Sequence, residues 1–92
     1  MKEIELDDDF RLKVKALSKE DRGIIGSAIS DIQEAFGNPH VHSGIGVRKL
    51  RPRLYEARTD LGQRLLFEDR DDCLFFFKLG NHDEIRKYLK SL

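Results

Sequence analysis

The run Leu54-Tyr55-Glu56-Ala57-Arg58-Thr59 ends close to one arginine, and the run Arg64-Leu65-Leu66-Phe67-Glu68 opens on another. Between them lies Asp60-Leu61-Gly62-Gln63, short enough and of the right residue types for a hairpin turn. Strands joined there bring the Arg58 and Arg64 guanidiniums near each other. Two cations held together call for an anion between them or acids beside them. A guanidinium fork can grip a phosphate at two oxygens at once, so a phosphate clamp is one reading. The other is a pairing of Arg58 with Glu56, or of Arg64 with Glu68, that only covers the sheet.

His82 stands in Gly80-Asn81-His82-Asp83-Glu84, where an apolar run gives way to a helical one. A histidine at such a junction is either a surface residue of the helix end or a titratable acid or base. His40-Val41-His42 spaces two imidazoles so that an extended loop would point them the same way. No third ligand is near in sequence, so no metal is expected. Cys73, the single cysteine, lies inside Cys73-Leu74-Phe75-Phe76-Phe77 and reads as a buried structural thiol. The chain has no Walker-type phosphate loop, no Cys-x-x-Cys and no His-Glu-x-x-His, and nothing marks a serine nucleophile. Activities that depend on those groups drop out.

The elements that must hold these residues follow from periodicity. Lys2 to Leu6 alternates as a short strand. Asp7, Asp8 and Asp9 suit the start of a helix over about 8–17, with Phe10, Val14 and Leu17 at helical spacing. Ser18 with Asp21 three residues on resembles a capping box. It opens a helix over about 19–36 whose apolar face is Ile25, Ala28, Ile29, Ile32, Ala35 and Phe36. Gly37-Asn38-Pro39 stops it, and residues 37–46 form a loop. Strands are expected over Leu54–Thr59, Arg64–Glu68 and Cys73–Leu79, with Arg48 to Leu50 beginning a further one. The Cys73–Leu79 run is apolar on both faces and is expected to be the central strand. A last helix covers about 82–91, with Ile85, Tyr88 and Leu89 at helical spacing. The expected class is α+β, in the order β-α-α-β-β-β-α, with an antiparallel sheet packed against a helical hairpin.

The length of 92 residues fits a single domain, 1–92. Lys plus Arg and Asp plus Glu are both 17, so the formal charge is zero. The distribution is uneven. Residues 37–64 hold Arg48, Lys49, Arg51, Arg53, Arg58 and Arg64 against only Glu56 and Asp60. Such a basic island can bind phosphates on one face whatever the global balance. No apolar run is long enough to span a bilayer and no signal-peptide core is present, so a cytoplasmic protein without membrane partners is expected.

Taken in order, several segments resemble the RelE/ParE superfamily of bacterial toxins. They are Phe10 with Leu17-Ser18, Arg48-Lys49-Leu50, Leu54-Tyr55-Glu56-Ala57-Arg58, Arg64-Leu65-Leu66-Phe67 and Gly80-Asn81-His82-Asp83-Glu84. The resemblance spans nearly the whole chain. It implies two packed helices on a sheet with a concave basic face. RelE, YoeB and YafQ relatives use that face to cut mRNA in the ribosomal A site, without metal or other cofactor, leaving a 2′,3′-cyclic phosphate or 3′-phosphate. ParE relatives instead poison DNA gyrase. Both kinds are restrained by a cognate antitoxin. Matched by position, Arg64 resembles the arginine that contacts the scissile phosphate, and His82 the histidine that serves as acid or base. Arg58 lies near the basic strand residues, and Glu56 could stand for a carboxylate base. Arg48, Lys49, Arg51, Arg53 and Lys78 are the candidates for other contacts to RNA. The chain departs from many of these relatives in its neutral charge, and its His82 is followed by an acidic helix containing Tyr88.

The implied function is a toxin that cleaves mRNA through attack by the RNA's own 2′-hydroxyl. The alternative is a ParE-like gyrase inhibitor or a non-catalytic protein of the same fold. In the first case Arg64 and Arg58 stabilise the crowded phosphate and His82 protonates the leaving 5′-oxygen. Glu56 or a ribosomal group takes the 2′ proton.

Overall fold

The computed structural model describes residues 1–37 and 46–92. The chain runs β1 (Glu3–Leu6), α1 (Asp8–Lys15), α2 (Lys19–Gly37), β2 (Val47–Arg51), β3 (Leu54–Arg58), β4 (Arg64–Arg70), β5 (Cys73–Gly80) and α3 (His82–Lys90). The segment at Arg48 to Leu50 is thus a full strand. His40 and His42 lie outside the described residues. No helix among the described residues is long and apolar enough to cross a membrane.

The five strands form one sheet in the order β1-β5-β4-β3-β2. From β2 to β5 the chain makes the expected antiparallel meander. β1, however, pairs with β5 in parallel, so the sheet is mixed. The hairpin of helices between β1 and β2 carries the chain from one edge of the sheet to the other. That leaves β1 beside the last strand and running with it. The apolar Cys73–Gly80 strand lies inside, between β1 and β4, and the middle position falls to β4.

Helix limits follow from their caps. Asp7 accepts a hydrogen bond from the Asp9 backbone N–H and opens α1. α1 stops at Lys15, earlier than its periodicity suggests, because Ser18 is already taken as the start of α2. The Ser18 hydroxyl accepts from the Asp21 backbone N–H at 3.1 Å. β4 runs two residues further than expected, to Arg70. Its charged end is held from both sides. Lys2 pairs with Asp69, and the Asp69 backbone N–H donates to the Arg53 carbonyl at 2.8 Å.

Alternation along the strands divides the sheet into two unlike faces. One carries Ala57, Leu65, Phe67, Leu74, Phe76 and Leu79 and is covered by Phe10, Ile25 and Ile32 from α1 and α2. Phe67 is the hub. Its ring stacks on Phe76 at 4.9 Å and on Tyr55 at 5.4 Å, and meets Phe36 edge-on at 5.5 Å. Each fully buried Phe contributes about 1.5–3 kcal/mol of apolar burial. The other face bears Arg48, Glu56, Arg58, Arg64, Leu66 and Lys78, because these residues stand opposite one another across the ladders. Helix α3 packs onto part of this second face, across β5 and β4. The buried side chains Leu66 and Ile85 lie outside the main core cluster and mark where it seats.

Candidate functional site

The two arginines of the hairpin are brought together as the sequence suggested. Arg58 and Arg64 are direct cross-strand partners, and Arg64 in turn stands opposite Gly80 on β5. The turn that joins them closes tightly. The Thr59 backbone N–H and hydroxyl both donate to the Gln63 carbonyl, at 3.0 and 2.9 Å. Gly62 takes a φ of 71°, where a side chain would be strained.

The acid that balances the arginines is neither of the pairings the sequence offered. Glu56 lies diagonal to Arg64 across the β3–β4 ladder, since its direct partner is Leu66. Arg64 donates to Glu56 Oε1 at 2.9 Å. Arg48, directly opposite Glu56 on β2, approaches the same oxygen at 3.6 Å. Glu56 is 4% exposed and is the buried charged residue among those described. Its flanking arginines differ in exposure, with side chains 19% open for Arg64 and 66% for Arg48. Glu68 pairs instead with Arg70, at 2.7 Å. The Arg58 backbone N–H donates to the Gly46 carbonyl at 3.2 Å, but its side chain is exposed and makes no hydrogen bond or ion pair with any described residue.

His82 is the first residue of α3, two positions beyond Gly80. Arg58, Arg64 and the start of α3 therefore lie toward the same end of the sheet, and His82 is exposed. Its position depends on the cap of α3, which is Asn81. The Asn81 side chain accepts from the Glu84 backbone N–H at 2.9 Å, and Glu84 accepts from the Asn81 N–H at 3.0 Å. The Asn81-x-x-Glu84 spacing is the signal that could have identified it. Gly80 matters for a related reason. A Cβ there would stand 3.0 Å from that of Glu84, so a side chain at this hand-over would need the first turn of α3 to give by a few tenths of an ångström.

The remaining basic candidates separate. Lys78 is on the same face as Arg64, and its ammonium sits 5.2 Å from the centre of the Tyr88 ring. Lys49 faces the other way, opposite Tyr55 on the side of α1 and α2. Arg51 is exposed at the end of β2, opposite Leu54. Arg53 is committed to the turn. It has a φ of 68° and donates to the Asp69 carbonyl at 3.1 Å and to Asp71 at 2.9 Å. The hydrogen bond to Asp71 raises its guanidinium further above the usual arginine value. Alternation alone separates Arg48 from Lys49. The loss of Arg53 to the neighbouring turn needed the positions of β4 and β5.

A groove of about 660 Å³ borders Arg58 on the side of α2, but Glu20, Asp31 and Asp60 line it as well. Three carboxylates make it a poor seat for a phosphate. Among the described residues no group of three or more histidine, cysteine or acidic side chains is arranged to hold a metal ion.

No protein-family model and no curated protein matches the sequence. Solved structures do match in shape. One is RelE in the RelB–RelE antitoxin–toxin complex of Methanococcus jannaschii, at 16% identity and a TM-score of 0.64, covering 91% of this chain and 96% of that one. Another is an arginine-substituted variant of the E. coli toxin RelE bound to a peptide of the antitoxin RelBc. It is 14% identical with a TM-score of 0.68, covering 99% of this chain and 94% of that one. At such identities the likeness speaks for architecture, and it spans the sheet, the helical hairpin and the final helix alike. The chain has the fold of the RelE toxins.

Proposed function

We propose that the protein is the toxin of a toxin–antitoxin pair and acts as a metal-independent endoribonuclease on mRNA, in association with the ribosome. The observation that carries this reading is the pairing of Arg58 with Arg64 directly across a hairpin, on a face beside the start of α3 where His82 stands exposed. The RelE fold and its occurrence in complexes with RelB antitoxins support the toxin role and a protein antitoxin as partner.

In this reading the scissile phosphate sits over Arg58 and Arg64, whose N–H groups meet the charge that grows on the non-bridging oxygens as the 2′-oxygen attacks. His82 donates a proton to the leaving 5′-oxygen. Glu56 is buried and engaged by Arg64, so holding Arg64 suits it better than receiving the 2′ proton. A ribosomal or RNA group takes that proton. Arg48 and Lys78 flank the path of the strand as phosphate contacts.

Arg64 balances a buried carboxylate, and removing its charge would upset folding as well as catalysis. Two gentler changes test the reading. Arg58→Ala removes a cation with no partner among the described residues. Arg64→Lys keeps the charge facing Glu56 but loses the fork. Each is expected to lower cleavage roughly a hundredfold or more, with unchanged melting behaviour. Mapping transcript 5′ ends after induction reads the effect. Growth arrest without new 5′ ends, with DNA replication stopping first, would instead favour a gyrase-directed toxin.

A further inference from the structure

Glu56 has no role in the scheme above other than holding Arg64, yet it is the deepest charge on that face. One oxygen, Oε1, lies 2.9 Å from Arg64 and 3.6 Å from Arg48. Both arginines stand on the face that would receive a phosphodiester, and Arg64 stands directly opposite Arg58 and diagonal to Glu56 in the ladder. A carboxylate oxygen and a phosphate oxygen ask for the same guanidinium N–H groups. The protein has thus placed its own anion where a ligand's anion would draw on Arg64 and Arg48.

We infer that Glu56 is an internal counter-ion that competes with phosphate for Arg64 and Arg48 and so weakens the hold of this face on nucleic-acid backbone. The consequence for RNA rests on the endoribonuclease reading. The competition itself does not. Without Glu56, the end of the face that carries Arg48, Arg58, Arg64 and Lys78 would have four strand cations and no strand acid; it would hold any polyanion nonspecifically and would keep a cut strand bound. With Glu56 present, Arg64 stays aligned when the face is empty. It is drawn outward only by an anion that also engages Arg58, which has no partner of its own among the described residues. The design favours a phosphodiester bridging both arginines over a single passing charge. Glu56 acts through Arg64 and is a positioning residue in this scheme.

The test follows the Nε–H signal of Arg64 by NMR while inorganic phosphate is added to the whole protein. Glu56→Gln is expected to lower the phosphate concentration for half-response on the order of tenfold, the size of one charge-assisted hydrogen bond released to the ligand. In a parallel titration with single-stranded RNA, Glu56→Gln should tighten binding. It should also steepen the dependence of log affinity on log salt by about 0.7, the equivalent of one more phosphate contact. A role confined to packing would not move that slope. If Glu56→Gln does not fold, Glu56→Asp decides. Its shorter side chain draws the carboxylate back from Arg64, and phosphate should bind more tightly than to the native protein. A folded variant that responds to phosphate no earlier than the native protein overturns the inference. Tighter phosphate binding by the variant, with no RNA bound by either protein, upholds the inference and sinks the nuclease reading.

Discussion

The helix-covered face of the sheet and the face that carries α3 share the same five strands, yet they are assembled on different terms. On the first, Phe10, Phe36, Tyr55, Phe67 and Phe76 meet ring to ring, and neighbouring aliphatic side chains close the gaps. On the second, Arg48, Glu56, Arg58, Arg64 and Lys78 project from the same β2–β5 ladders, and one short helix covers only part of them. Apolar burial is nondirectional and tolerates any close packing. A field of charges must be balanced one partner at a time. Glu56 is the point at which the second face meets that demand. The difference separates the residues that keep the sheet folded from those free to meet a ligand.

The largest expected effect belongs to the first face. Phe67→Ala removes the hub of the aromatic cluster, and its side chain is wholly buried. The expected loss is about 3–5 kcal/mol, read from urea unfolding. Arg58→Ala in the same assay should stay within about 0.5 kcal/mol, because its side chain is exposed and unpaired among the described residues. Comparable losses from the two would break the division between a folding face and a functional one.

A smaller effect is expected where α3 joins the second face. Asn81→Ala deletes one half of the capping box and should cost about 1 kcal/mol. The loss should be local. Hydrogen exchange should quicken in the first turn of α3 and remain unchanged in α2 and β4. Since His82 rides on that turn, the proposed RNA cleavage should fall further than stability does. Uniformly faster exchange would mean that α3 is bound into the main core rather than seated separately on its own face.

Much of this division was legible in the residue order. Alternation along Leu54–Arg58 put Glu56 and Arg58 on one face and Tyr55 and Ala57 on the other, and the ladders agree. The length of the Asp60–Gln63 stretch brought Arg58 and Arg64 together. The partner of Glu56 was not legible, because a diagonal contact depends on register, and a shift of one residue would have exchanged Arg64 for a leucine. The parallel pairing of β1 was hidden for a different reason. Its four residues alternate the same way whether the neighbouring strand runs with them or against them, and only the path of α1 and α2 decides. The meeting of Lys78 with Tyr88 likewise required α3 to fold back over β5, which no local pattern records.

The smallest effect concerns Cys73, on the same face as Phe75 but at the far end from Arg64. Burial pushes its thiol above the ordinary value, and the nearby Glu5 carboxylate adds to the rise. The thiolate is the reactive form, so alkylation of the folded protein should lag the urea-unfolded chain by tenfold or more near neutral pH. The linkage has a definite sign. The folded state holds the thiol proton more tightly than the unfolded chain does, so below the ordinary thiol value this group adds no pH dependence. As pH rises past that value the unfolded chain ionises first, and stability declines. Cys73→Ala should flatten that decline in urea melts above neutral pH. A thiol that reacts equally fast before and after unfolding would show that this end of the second face is open.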